Sequence, residues 1–145
     1  MVKTHQTNLM ESFIQSSTKY ATEILVLVFV LITFLQSGID KITDWKGNVA
    51  YIKSVFEKTF LNKYSTFLLA IIAFAEVIAG IMALIGIYQI LANQNTFYGL
   101  LALIVSAKVL LALLFGQRIA KDYAGAMTIA VYFGVVLFGV YVFSH

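Results

Sequence analysis

The chain has 145 residues, 61% of them hydrophobic, with ten Lys+Arg against seven Asp+Glu and neither Cys nor Pro. That apolar share lies far above the roughly 45–50% of a soluble domain. It leaves no room for a sizeable soluble domain. The absence of cysteine excludes disulfide staples, Cys-ligated metals and thiol relays.

The first twenty residues, MVKTHQTNLMESFIQSSTKY, are polar. They lack the charged, apolar and small-residue regions of a removable signal peptide, so the first span is expected to be retained. His5 and His145 lie near the two ends of the sequence and read as solvated residues, so no metal site is expected.

A membrane span needs about 20 mostly apolar residues. Four runs approach or meet that length, at about 21–38, 65–90, 97–115 and 124–143. The first is the shortest and must recruit flanking residues. Only helices cross a bilayer without leaving backbone edges unpaired. The expected fold is therefore an all-α membrane protein: one polytopic domain over 1–145, a four-transmembrane-helix antiparallel bundle.

The first connection, about 39–64, is long and patterned. Trp45, Val49, Ile52, Phe56 and Phe60 recur at steps of three and four, with Lys46, Lys53 and Lys58 between them. This spacing predicts an amphipathic helix lying in the interface between spans 1 and 2. It would cap the bundle, gate a ligand or present a partner surface. The other connections are short, QILANQNT (89–96) and GQRIAKDY (116–123).

Lys41, Lys46, Lys53, Lys58, Lys63, Arg118 and Lys121 fall on one side, against Lys3 and Lys19 on the other. The positive-inside rule puts the richer side in the cytoplasm and both termini outside. The basic excess suits anionic lipid head groups better than nucleic acid.

Polar residues inside the spans are the candidates for function. Thr33, Ser37 and Lys41 share one face of the first span, and Gln36 and Asp40 form a neighbouring stripe. Glu76 interrupts the run IIAFAEVIAGIMALIG, roughly 17 Å from the basic face at about 1.5 Å per residue. Lys108 lies on the third span roughly 12 Å from the same face. The two depths allow a Glu76–Lys108 pair; unpaired, Glu76 would be carried neutral, and Lys108 would snorkel. Asp40, Lys41, Gln117, Arg118, Lys121 and Asp122 form a second polar layer nearer the surface, and Tyr132 is a further candidate lining residue. Each charge is either a functional group or a lock on helix register. Ala75, Ala79 and Ala83 on the second span, and Ala126, Ala130 and Gly134 on the fourth, make small-residue faces that suit helix packing.

Gly38-x-x-Lys41 closing the first span, followed by Glu76-x-x-x-Gly80 and Gly86, resembles the DoxX family of small four-helix bacterial membrane proteins and, more loosely, the MauE-like group. That resemblance extends over nearly the whole chain in span count and loop placement. It implies a bacterial inner-membrane protein, an accessory or anchor subunit of a quinone-linked or oxidative-stress redox complex. Quinone is the ligand it implies, and a redox-complex subunit or a second copy is the partner. The matching residues are Gly38, Lys41, Glu76, Gly80 and Gly86. Lys108 and the 116–123 turn are outside it. Dithiol chemistry, on which MauE-like proteins lean, is excluded here by the missing cysteines. The chain holds no self-sufficient catalytic constellation, and no residue in it carries electrons alone. The alternative is a non-enzymatic protein that binds or transports a small solute or lipid, or assists assembly.

Overall fold

The computed structural model describes residues 1–145. It is helical throughout, without strands. A peripheral helix α1 (Val2–Lys19) precedes the first span, α2 (Ala21–Thr43). A short helix α3 (Trp45–Val55) follows. The second span, α4 (Ser65–Asn93), is led in by a 3₁₀ turn at Asn62–Tyr64. The third and fourth are α5 (Phe97–Ile119) and α6 (Tyr123–Ser144). All four spans are long and apolar enough to cross a bilayer. The protein is a multi-pass membrane protein built as an antiparallel four-helix bundle.

The spans run longer than the apolar stretches alone indicate. The first reaches Thr43, because its polar end continues as helix before Asp44 caps α3 by accepting from the Gly47 amide at 3.3 Å. The second reaches Asn93, and the turn after it shrinks to three residues. Gln94 adopts the left-handed conformation (φ 52°) that ends many helices, and Asn95 Oδ1 accepts from the Phe97 amide at 2.9 Å. Asp122 caps α6 by accepting from the Gly125 amide at 3.0 Å.

The α3 face forms as its spacing predicts. Trp45, Val49, Ile52 and Phe56 are half-buried against the bundle, while Lys46, Lys53 and Lys58 are exposed. Phe60 departs from the pattern: it lies beyond the helix end and is exposed. The α1 helix, where sequence patterning singled out no element, buries only Ser16.

One stripe of α4 organises the core. Ser65, Leu69, Ala73, Glu76, Ala79, Gly80, Ala83, Gly86 and Ile90 are its buried residues, at steps of mostly three and four. Its small members set how closely neighbours approach. A Cβ at Gly80 would lie 2.8 Å from Leu35 Cβ, and one at Gly38 would lie 2.7 Å from Val77 Cγ2. A Cβ at Gly86 would lie 2.7 Å from the Gly99 Cα. Glycine is thus required where α2 and α5 cross α4.

On α6 the small-residue face does not serve the bundle. Ala126 is buried, but Ala130 and Gly134 are exposed, and a Cβ at Gly134 would meet nothing within 4 Å. The sequence registers small size alone; the azimuth of α6 turns these two residues outward.

This contrast is measurable. Gly80→Leu should destabilise the detergent-solubilised protein by about 1–3 kcal/mol, as overpacking does. Gly134→Leu should fall within about 0.5 kcal/mol of wild type. Reversible unfolding in mixed SDS micelles, followed by circular dichroism, compares them.

Candidate functional site: a charged pole in an intramembrane cavity

The first span is not a uniform α-helix. Its residues Leu31–Leu35 form a wide π-type turn. Such turns disrupt the regular ladder and frequently mark functional sites. Ser37 and Lys41 follow it, one turn apart on the face toward α4. Gly38 lies between them and brings the two backbones together.

Glu76 lies opposite, only 3% exposed. Its partner is Lys41: Lys41 Nζ sits 2.9 Å from Glu76 Oε2, the only ion pair in the chain. Lys41 Nζ also donates to Ser37 Oγ at 2.6 Å, and Ser37 Oγ donates to Glu76 Oε1 at 3.2 Å. Three side chains thus close a triangle across the α2–α4 contact. The Glu76–Lys108 pair that their depths allow does not form. Lys108 is exposed on the outer face of α5, whose buried residues Gly99, Ala102, Leu103, Ser106, Val109 and Leu110 face the bundle. Equal depth was satisfied, and equal azimuth was not.

The triangle forms the polar pole of a cavity of about 530 Å³. All four spans contribute to its wall, and α3 covers it from the basic side through Asn48, Tyr51, Ile52, Val55 and Phe56. Most of the wall is apolar, including Phe34, Leu69, Ile72, Leu110 and Leu113. One buried acceptor in this wall, Gln117 Oε1, has no hydrogen-bond donor, whereas Glu76 Oε2 is taken by the Lys41 ammonium at 2.9 Å. A buried acceptor without a donor is costly, and an occupant that donates a hydrogen bond to Gln117 Oε1 would offset that cost.

The other candidates are dispersed. Gln36 and Asp40 are exposed and line a small adjoining crevice with Thr33, Ser37 and Tyr132. The crevice lies where the first span leaves the fourth; Phe29 meets Tyr132 edge-on there, with ring centroids 5.6 Å apart. Arg118 is exposed and lies over the Tyr123 ring, 4.9 Å from its centroid. Ser65, Asn48 and Tyr51 were not singled out from the sequence. Asn48 carried a readable signal, a polar residue one turn after Trp45 on the inward face of an amphipathic helix.

The DoxX family model matches residues 24–115, well over half of the chain. The chain belongs to the DoxX family. The matched stretch contains the whole Ser37–Lys41–Glu76 triangle and the covering helix, and ends before the fourth span. No curated protein and no solved structure matches this DoxX chain.

A mutant cycle tests the triangle. Lys41→Met should cost about 3 kcal/mol, because it strands a buried carboxylate. Adding Glu76→Leu should recover most of that loss. Lys108→Met combined with Glu76→Gln should be additive within about 0.5 kcal/mol, as for side chains that share no contact.

Proposed function

We propose that this DoxX protein is an accessory or anchor subunit of a membrane redox complex, and that its cavity holds the head group of a quinone. The observation that carries the reading is the cavity: an apolar chamber with one charged pole, inside a four-helix bundle. Its volume, about 530 Å³, lies within the roughly 300–1,000 Å³ of small-molecule sites.

The wall residues suit both forms of such a ligand. Lys41 supplies an ammonium donor for a ring carbonyl. Gln117 Oε1 supplies an unpartnered acceptor for a ring hydroxyl, and Glu76 would hold the Lys41 ammonium in place. The apolar lining suits an isoprenoid tail. When bound, quinone would supply two-electron, two-proton carrier chemistry. Electrons would have to come from a partner subunit. The chain's own part would be to bind and orient the head group, exclude water, and hold a proton at the Glu76 carboxyl or the Lys41 ammonium.

Topology enters the same reading. Lys46, Lys53, Lys58, Lys63, Arg118 and Lys121 are all exposed at one end of the bundle. Lys41 belongs to the triangle and is set aside. The remaining six still outnumber Lys3 and Lys19, which favours a cytoplasmic placement for this end of a bacterial inner-membrane protein. A C-terminal reporter active only in the periplasm should therefore give signal. Signal from a cytoplasmic reporter instead would reverse the orientation.

The ligand test is extraction. Wild type and Glu76→Gln are purified in mild detergent, and co-purifying quinone is quantified per protein. Near-stoichiometric quinone in wild type should fall by about tenfold or more in the variant, the effect of losing one charge-assisted contact. Wild type without quinone but with bound lipid would move the site to the lipid-binding reading.

A further inference from the structure

Lys108 is the one charge near the middle of a span for which the bundle provides nothing. It is the central residue of α5, eleven positions from Phe97 and eleven from Ile119. At about 1.5 Å per residue it stands roughly 16 Å from either end of the helix. The four-carbon stem of lysine covers less than half of that, so snorkelling reaches neither head-group layer. Side chains on a helix also lean toward its N-terminus, which is away from the basic end of the bundle. The side chain is exposed, has no ion pair and makes no hydrogen bond within the chain. An unpaired ammonium at the centre of a bilayer is strongly disfavoured.

We propose that the Lys108 face of α5 is a docking surface for a transmembrane helix of another protein, one that carries an Asp or Glu near the middle of the membrane. The surface is continuous. Leu101, Ile104, Leu111 and Phe115 flank Lys108 at helical spacing and leave an apolar strip around one cation. Leu111 is 49% and Phe115 62% exposed.

Charge complementarity selects this partner over a second copy. Two copies in one membrane share an orientation, so their depths compare directly. The seven acidic residues of the chain are Glu11, Glu23, Asp40, Asp44, Glu57, Glu76 and Asp122. Glu11 lies on peripheral α1, Asp44, Glu57 and Asp122 in the connections, and Glu23 and Asp40 near opposite ends of α2. Glu76 is buried and paired with Lys41. None offers a lipid-facing carboxylate at the depth of Lys108. A carboxylate on a different membrane protein does, and each ion would offset the other's desolvation.

The test uses the full chain in phosphatidylcholine vesicles with labelled synthetic Leu/Ala transmembrane helices carrying a central Asp or a central Leu. Energy transfer between chain and peptide reports association at neutral pH. The central-Asp helix should bind wild type about tenfold more tightly than the central-Leu helix, the scale of one interhelical polar contact. Lys108→Leu should remove that difference while helix content and thermal stability are retained. Lys108→Glu should transfer the preference to a helix with a central Lys. Equal binding of the Asp and Leu helices to wild type would overturn the proposal, as would an Asp preference that survives Lys108→Leu. Energy transfer between wild-type copies that Lys108→Leu abolishes would overturn it too, assigning the face to self-association. None of these readouts depends on quinone or on the cavity.

Discussion

A buried carboxylate in a membrane-spanning helix is costly unless a group that touches it offsets its charge. The contact between Lys41 and Glu76 meets that constraint, and much of the bundle is arranged around it. The ammonium must arrive from the neighbouring span at 2.9 Å. At this level α2 and α4 cross with little between their backbones. Gly38 and Gly80 supply the crossing from opposite helices, each facing a side chain that a Cβ would strike. Ser37 completes the triangle by donating to one partner and accepting from the other, so its single hydroxyl serves both charges. The glycines thus let the two helices approach closely beside the point where the two charges meet.

The same constraint gives the cavity its polarity. A fully matched ion pair would leave a sealed, inert core, which is the register-lock reading of such pairs. Here the pair is not sealed. Lys41 keeps 19% of its side chain exposed, and both partners line a chamber. The wide turn at Leu31–Leu35 precedes this cluster, and α3 closes over it. A helix pair built only to hold register would have no use for either feature, since both add volume next to a charge and cost packing.

The architecture was largely legible because hydropathy and period are properties of the linear chain. Four apolar runs and an amphipathic connection declare themselves locally. Span ends were harder, since Gln36–Thr43 is polar yet helical, and its helicity comes from continuation of α2. The site was legible in its members and not in its pairing. Depth along a helix can be counted; azimuth needs a stripe. On α5 the stripe is present in hindsight: Gly99, Ala102, Ser106 and Leu110 mark the inward face. Lys108, two residues beyond Ser106, points about 200° away from it. On α6 the small residues Ala126, Ala130 and Gly134 share one stripe, so the same test would have placed Ala130 and Gly134 inward, against what the fold shows. Gln117 was visible as a polar turn residue, but its buried, donorless oxygen depends on how α5 and α6 close around the cavity.

The two intramembrane charges therefore have opposite relations to the bundle. Glu76 lies on the only face of α4 lined by small residues, so its cost is met internally and its geometry is fixed by folding. Lys108 lies on a face of large apolar side chains directed at lipid, where nothing in the chain can meet its cost. A protein with only the first charge would be self-contained. Adding the second makes the isolated bundle electrostatically incomplete in the plane of the membrane, on a helix that also contributes Leu110 and Gln117 to the cavity wall. Any helix that neutralises Lys108 would pack against the back of that wall. Occupancy of the outer face and the shape of the inner chamber are thus properties of one helix, and an anchor subunit built this way would present its cavity to a ligand from within the assembly it joins.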